Sequence, residues 1–279
     1  MIYLSISVLA MVFNGTVLKW GETRGQNRLL VIGINYLCAT AGMTALWLSQ
    51  GGGLPSRTTL LLGPIGGVLY GVGLFIWMVA IARAGLGTST AAMRLSVVWP
   101  TLLSIALFDE IPSIPQGTGI AFAFLAIAML VPGQRGNENE HGQRGWPWLV
   151  WVFVFTGGIG VVLKIFTEVG DVAENSAFLA LAFGTAGVLA WGAMLGRSWR
   201  AGKEDVLRGV LFGVGNMVTN VTLLMALESV PGTVAFPLNN SGIIVLTTLA
   251  GVLMWKEKPG AWGYAAIGAA SLAIVLISL

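Results

Sequence analysis

Long apolar runs, separated by short polar or helix-breaking stretches, fill this chain from end to end. A helix needs about 20 apolar residues to cross a bilayer, and runs of this kind recur ten times. They predict transmembrane helices over residues 2–19, 29–49, 59–82, 87–107, 114–132, 147–167, 175–195, 206–227, 233–254 and 261–279. The breaks carry glycine, proline or charged residues, which end helices. The pattern therefore predicts an all-α integral membrane protein with ten transmembrane helices.

The chain also contains an internal repeat. Gly67-Val-Leu-Tyr-Gly-Val-Gly73 returns as Gly209-Val-Leu-Phe-Gly-Val-Gly215. Gly15-Thr-Val-Leu-Lys19 returns as Gly160-Val-Val-Leu-Lys164. Each copy holds five predicted helices, an odd number, so the two copies are expected to face opposite ways, as in many alternating-access transporters. The predicted domains are a five-helix repeat over 1–133, an inter-repeat loop over 134–146 and a second, inverted five-helix repeat over 147–279.

Composition and charge agree with a membrane protein. Only 10% of the residues are charged, 56% are hydrophobic, and the mean hydropathy is +0.82, whereas a soluble domain has about 25% charged residues. Of the 15 Lys and Arg, 12 fall in or beside the loops after the odd-numbered predicted helices: Lys19, Arg24, Arg28, Arg83, Arg135, Arg144, Arg197, Arg200, Lys203, Arg208, Lys256 and Lys258. The positive-inside rule places these loops in the cytoplasm of a cell with an inner membrane, and both termini outside. Because the basic residues are spread over short loops, we expect no nucleic-acid partner.

Polar residues inside the fourth and ninth predicted helices are the first candidates for a substrate site. An ionisable side chain at bilayer depth costs at least about 2.5 kcal/mol, so it needs a partner or a function. Arg94, Ser96 and Trp99 precede Pro100 in one helix, and the other helix places three polar residues just after Pro237. We predict a substrate site between the halves that these residues line: Arg94, Ser96, Trp99, Asn239, Asn240 and Ser241. The alternative is interhelical hydrogen bonding that only holds the bundle together.

Other helices add further candidates. Asn216 and Asn220 share one face of the eighth predicted helix with Thr219 nearby, and the repeat places Trp77 opposite Thr219 in the third. A Trp beside polar groups suits a sugar or an amino acid, although packing is the alternative role for Trp77. Asn14 is a further candidate on the first helix. Lys19 and Lys164 are candidates for charge pairing or coupling together with Glu168, which follows Lys164 at i+4. Snorkelling to the membrane surface is the alternative for the lysines.

The sequence lacks the residues that several kinds of chemistry require. The single histidine, His141, lies in the inter-repeat loop, so neither a histidine metal site nor a histidine-activated nucleophile is expected. We therefore predict no enzyme activity, no metal and no cofactor. An intramembrane enzyme acting on lipid head groups and a non-transporting scaffold are the alternatives from other classes. The glycines of the third predicted helix are expected to serve tight helix packing.

The whole chain resembles the drug/metabolite transporter superfamily, in particular its ten-helix, EamA-like members. The resemblance rests first on the two inverted repeats of five predicted helices. It rests also on an acid followed by proline in the turn after the fourth and ninth helices: Glu110 in Asp109-Glu-Ile-Pro112 and Glu257 in Trp255-Lys-Glu-Lys-Pro259. Gly209-Val-Leu-Phe-Gly-Val-Gly-Asn216 and the Trp255-Lys-Glu-Lys258 turn also resemble the bacterial glucose/ribose-uptake branch. The resemblance implies a central cavity lined by the first, third, fourth, sixth, eighth and ninth helices.

The sequence thus predicts a secondary active transporter of a small polar metabolite. Sugar-type uptake by alternating access, with proton coupling through Glu168, is the first hypothesis. Export of amino acids or related metabolites is the second, with Arg94 binding a carboxylate through two hydrogen bonds. The expected partners are the small-molecule substrate and the lipid bilayer, with the protein a monomer or a homodimer.

Overall fold

Each regular element of the protein is helical in the part of the chain that its computed structural model describes. The structure describes residues 1–22, 24–25, 27–84, 86–130, 142–195, 202–256 and 260–279. The helices are α1 (Ile2–Glu22), α2 (Arg28–Ser49), α3 (Arg57–Ala84), α4 (Leu86–Leu95), α5 (Val98–Phe108), α6 (Ile114–Leu130), α7 (Gly142–Val169), α8 (Asn175–Gly192), α9 (Lys203–Leu227), α10 (Gly232–Trp255) and α11 (Ala261–Ile277). A single 3-10 turn, Val172–Glu174, precedes α8. The all-helical prediction is confirmed over these residues, since a helix satisfies its own backbone polar groups in lipid.

The helices have the lengths that a bilayer requires. Seven of them in the described residues are long and apolar enough to cross a membrane, and three shorter apolar helices cover Ala92–Phe108, Ile114–Met129 and Ala261–Ile277. This is the composition of a multi-pass membrane protein. Most predicted boundaries lie within a few residues of the observed ones, while α7 begins at Gly142, inside the predicted inter-repeat loop.

The fourth predicted helix differs from expectation because it is broken. The prediction over 87–107 is one helix, but the chain turns at Ser96 and Val97, between α4 and α5. Pro100 explains the break, since a proline has no N–H to donate to the carbonyl four residues earlier, which is that of Ser96. The Trp99 N–H instead donates to the Ser96 carbonyl at 3.0 Å. Pro237, in contrast, lies inside α10 without interrupting it.

Two helices end in the same way at corresponding points of the predicted repeats. Asp109 follows α5 and Lys256 follows α10, each in the left-handed conformation, with φ of 52° and 53°. Each backbone N–H bonds to a carbonyl in the last turn of its helix, that of Ser104 and of Gly251. This αL ending is a common helix C-cap, and both turns lead into the acid-containing motifs of the sequence. Glu257, in the second motif, lies outside the described residues.

The chain forms two compact units, which we call the first and the second unit. The first unit comprises Gly73–Lys164 and Ser229–Leu279 together with Met1. The second unit comprises Ile2–Val72 and Ile165–Glu228. Each unit takes residues from both predicted repeats, so the units do not coincide with the repeats of 1–133 and 147–279. The repeats describe a relation between sequences and stay a prediction.

Small residues pack the helices of the first unit. α6 packs on α11, and α10 contacts α5, α6 and α11. Ala123 and Ala126 of α6 and Ala270 and Ala273 of α11 are completely buried. Small side chains of this kind let membrane helices approach closely and gain van der Waals contact.

The second unit is built around α2 and α9. α9 packs on α1 and α2, and α2 also packs on α8. Phe166 and Phe178 stack with their ring centroids 4.0 Å apart. A Cβ at Gly67 of α3 would overlap the Ala182 carbonyl of α8, so this glycine lies in tight helix packing, as the sequence predicts.

Candidate functional site

A chain of hydrogen bonds between uncharged side chains runs through the second unit and includes two of the predicted site residues. Tyr70 Oη donates to Asn220 Oδ1 at 2.6 Å. Asn220 Nδ2 donates to both the backbone carbonyl and the side-chain oxygen of Asn216 at 2.9 Å. Asn216 Nδ2 in turn donates to Asn35 Oδ1 at 3.2 Å. We call Tyr70, Asn220, Asn216 and Asn35 the amide network; Tyr70 and Asn216 are half-buried, and the other two are buried.

The positions of these residues follow from the periodicity of α9 and from its close contact with α1 and α2. Asn216 and Asn220 are one helical turn apart, so both side chains lie on the same face. A Cβ at Gly213 would lie 2.8 Å from the Asn35 carbonyl oxygen, and one at Gly215 would overlap Asn14 Oδ1. The glycines of the repeat motif thus bring polar backbone and side chains of three helices together.

Asn14 and Thr219 lie beside the network in different hydrogen-bonding states. Thr219 is satisfied, because its hydroxyl donates to the Gly215 carbonyl at 2.8 Å and its own carbonyl accepts from Ser7 Oγ at 3.1 Å. Asn14 is buried, and its Oδ1 has no hydrogen-bond partner within the described residues. An unsatisfied amide oxygen in a membrane helix is an acceptor that a polar solute can use.

The first unit carries a second group of predicted site residues, on α10. Asn239 and Ser241 are buried, and Asn239 Oδ1 and Ser241 Oγ both lack a partner in the described part of the chain. Asn240 is half-buried, and its amide donates to the Phe236 carbonyl of the same helix at 3.1 Å. α10 therefore presents two unsatisfied oxygens in its interior.

Arg94, Ser96 and Trp99 lie at the break between α4 and α5. Ser96 is buried and its hydroxyl donates to the Met93 carbonyl at 2.5 Å. Arg94 is half-buried in the last turn of α4, and within the described residues no hydrogen bond or ion pair reaches its guanidinium. Trp99 is exposed, and its ring lies where a Cβ of Gly157 would be. The Trp99 and Phe153 rings are tilted relative to each other, with 5.8 Å between their centroids.

Trp77 lies on the part of α3 that belongs to the first unit. It is half-buried, and its Nε1 donor has no partner among the residues described. Asn216, Thr219 and Asn220 belong to the second unit, so the predicted pairing of an aromatic with a polar wall stays a prediction.

Lys164 forms a buried ion pair that the sequence analysis did not anticipate. Its Nζ lies 2.5 Å from Glu110 Oε1, and the side chains of Lys164 and Glu110 are 1% and 16% exposed. Glu110 Oε2 accepts from the Thr233 N–H in the first turn of α10 at 3.0 Å. The snorkelling alternative for Lys164 is therefore wrong, because the ammonium is inside the protein.

Lys19 and Glu168 are the two remaining candidates for coupling. Lys19 is half-buried on α1 and Glu168 is exposed near the end of α7, and each has a polar or charged interaction. The proposed pairing of Lys164 with Glu168 stays a prediction, while the partner that the structure identifies for Lys164 is Glu110.

Sequence reasoning missed Tyr70 and Thr233 as hydrogen-bonding partners in these groups. Tyr70 lies in the repeated glycine motif, and Thr233 follows Gly232 at a helix start. These positions do not reveal their partners, which lie 150 residues away for Tyr70 and 123 residues away for Thr233. Among the described residues no three His, Cys, Asp or Glu side chains form a group that could hold a metal ion. His141 lies outside those residues.

Comparison with known proteins identifies a relative in sequence and a protein of the same fold. A Haemophilus influenzae protein, itself uncharacterized, is 25% identical over 181 residues, which are 64% of this chain and 62% of that protein. The chain thus spans less than two thirds of the length of this relative. A crystal structure with 17% sequence identity aligns over 99% of this chain and 98% of its own, with a TM-score of 0.76, and shows a shared fold.

The second half of the chain is similar to a known family. The model of the EamA-like transporter family matches residues 143–279. This match covers most of α7 and all of α8, α9, α10 and α11, which include Asn216, Asn220, Lys164 and the polar residues of α10. Over residues 143–279 the chain is thus similar to the EamA-like transporter family of the drug/metabolite transporter superfamily.

Proposed function

We propose that this chain is a secondary active transporter that takes up a small, polar, sugar-type metabolite across a bacterial-type inner membrane. The observation that carries the proposal is the amide network of Tyr70, Asn220, Asn216 and Asn35. Amides and phenols both donate and accept hydrogen bonds, as sugar hydroxyls do, and none of them carries a charge. Ligand sites for polar solutes combine a few such groups with aromatic and apolar walls.

Alternating access by two inverted repeats is the proposed mechanism. The seven long and three shorter apolar helices in the described residues support this proposal. Asp109 and Lys256, which correspond in the two predicted repeats, also share a left-handed backbone conformation. Inverted halves can exchange which side of the membrane is open around a fixed solute.

A specific observation favours a second candidate, the export of amino acids or related metabolites. The half-buried guanidinium of Arg94 has no hydrogen bond or ion pair in the described residues. A carboxylate can accept two parallel hydrogen bonds from a guanidinium, which is a strong and directional contact. In this candidate Arg94 binds the solute carboxylate, whereas a sugar relies on the amide network.

A thermal-shift screen of the purified, detergent-solubilised protein distinguishes the two candidates. A solute that binds the folded state raises its unfolding temperature. For the sugar proposal, glucose, ribose or a related polyol stabilises both the parent and Arg94→Gln. For amino-acid export, amino acids stabilise the parent but not Arg94→Gln, and Arg57→Gln, at an exposed position on α3, retains the shift. If Arg94→Gln loses neither binding nor transport of any accepted solute, Arg94 is not part of the site.

The orientation in the membrane belongs to the same proposal. The charge bias places both termini outside, with the basic loops in the cytoplasm. A cysteine introduced by Leu279→Cys in a Cys38→Ala background is then labelled by an impermeant reagent in intact cells. Labelling that requires permeabilisation would reverse the orientation.

A further inference from the structure

The carboxylate of Glu110 makes a different contact with each of its two oxygens. Oε1 faces the Lys164 ammonium at 2.5 Å, and Oε2 accepts from the Thr233 N–H at 3.0 Å. The second contact lies at the start of α10, where free backbone N–H groups and the helix dipole favour a negative charge. Glu110, which follows α5, thus contacts both α7 and α10.

The two partners of the ion pair differ in their access to solvent. Glu110 borders a cavity of about 260 Å³, whose wall also includes Ile111, Gln116 and Val234. The Lys164 side chain is 1% exposed and is not among the residues that line this cavity. A proton from water in the cavity can therefore reach Glu110, while Lys164 stays inside the protein.

A third polar group lies against the same glycine as Lys164. A Cβ at Gly232 would overlap Ser104 Oγ and would lie 3.1 Å from Lys164 Cε. Ser104 is completely buried, and its Oγ has no hydrogen-bond partner in the described residues. The site thus holds a spare oxygen acceptor on α5, near the lysine side chain.

We propose that Glu110 is the proton-coupling carboxylate of this protein, an inference that rests on the proposed transport function. In the described conformation the Glu110 carboxylate links Lys164 of α7 to the start of α10. When a proton from the cavity binds to a carboxylate oxygen, Glu110 becomes neutral and Lys164 loses this counterion while keeping its own proton. Breaking a buried ion pair is destabilising, so protonation favours a different arrangement of α7 against α10.

The other charged groups near Glu110 are few. Among the described residues, the groups around it are Lys164 from α7, Asp109 beside it in the chain, the neutral Gln116 from α6 and the Thr233 N–H from α10. Asp109 is exposed. Lys164 is thus the charged side chain in direct contact with the Glu110 carboxylate.

Glu174 supplies a matched control from the second unit. Its carboxylate accepts from the Ser56 N–H at 2.9 Å and from the Thr59 hydroxyl at the start of α3. No lysine or arginine pairs with it in the described part of the chain. Glu174→Gln therefore changes a carboxylate at a helix N-terminus without affecting an ion pair.

The test compares two assays on the full chain in proteoliposomes, with labelled glucose as the probe in one arm and labelled alanine in the other. Counterflow exchanges solute without net proton movement, whereas accumulation requires the proton gradient. One pH unit supports about tenfold accumulation for one coupled proton. We expect Glu110→Gln to retain counterflow and to lose accumulation, and Glu174→Gln to retain both.

Each alternative outcome has a defined meaning. The inference is overturned if Glu110→Gln accumulates solute with the same dependence on the proton gradient as the parent. It is also overturned if transport by the parent does not depend on the proton gradient. In both cases the proposed function stands. A parent without counterflow of either probe contradicts the proposed function and this inference with it. If Glu110→Gln does not fold, the double variant Glu110→Gln/Lys164→Met removes both charges, and gradient-driven accumulation by that variant overturns the inference.

Discussion

At the scale of single residues, the sequence identifies which side chains are unusual but not what they contact. Arg94, Lys164 and the asparagines of α9 are recognisable because polar and charged groups are rare in apolar helices. The partners of Lys164 and Asn220 lie 54 and 150 residues away, on helices that hydropathy cannot place next to them. The Lys164–Glu110 pair shows the consequence, since the local i+4 rule indicates a different acid from the one that the structure brings to the ammonium.

The hydrogen bond from Tyr70 to Asn220 is the first contact to test by mutation. Tyr70→Phe removes the donor and leaves Asn220 Oδ1 without this bond, which costs about 1 kcal/mol in a membrane protein. We expect a lower unfolding temperature in detergent for Tyr70→Phe. Tyr264→Phe, at a side chain that is 61% exposed, serves as the control and should unfold like the parent. Equal unfolding temperatures for both variants would show that the network does not contribute to stability.

At the scale of helices, run length and breaker residues predict most boundaries well. Each helix in lipid must be long and apolar, so its extent follows from the sequence alone. The break between α4 and α5 could not be predicted from run length and breaker residues alone. Pro100 indicates a lost backbone hydrogen bond, but it does not determine whether the helix bends or ends. Pro237 has the same local chemistry, and α10 continues through it.

The contact of α9 with α1 depends on Gly215. A Cβ there would overlap Asn14 Oδ1, so Gly215→Ala must displace α1 or turn the Asn14 side chain. We expect a loss of about 1–3 kcal/mol in unfolding free energy, the usual cost of overpacking.

Gly268→Ala on α11 is the matched control, because a Cβ at Gly268 meets no atom within 4 Å. Alanine is a better helix former than glycine by about 1 kcal/mol, so this variant should be neutral or slightly stabilised. A Gly215→Ala protein as stable as Gly268→Ala would contradict the close approach of α1 and α9.

At the scale of the whole molecule, the internal repeat and the packing describe different divisions of the chain. The sequence divides near the inter-repeat loop, whereas each compact unit includes residues from both halves. A repeat is visible in sequence because residue types recur, but which helices pack together depends on contacts between distant segments. The membrane class and the similarity to a transporter family were therefore predictable, and the division into units was not.

The account as a whole rests on solute transport by the polar groups of these helices. The most direct measurement is the uptake of labelled sugars and amino acids into proteoliposomes that contain the purified full chain. The parent should show saturable uptake of at least one solute above protein-free vesicles. Asn220→Ala, in the amide network, should reduce this uptake, whereas Asn175→Ala, whose amide donates to Glu228 outside the network, should not. Uptake by the parent no greater than in protein-free vesicles, for every solute, would contradict the account.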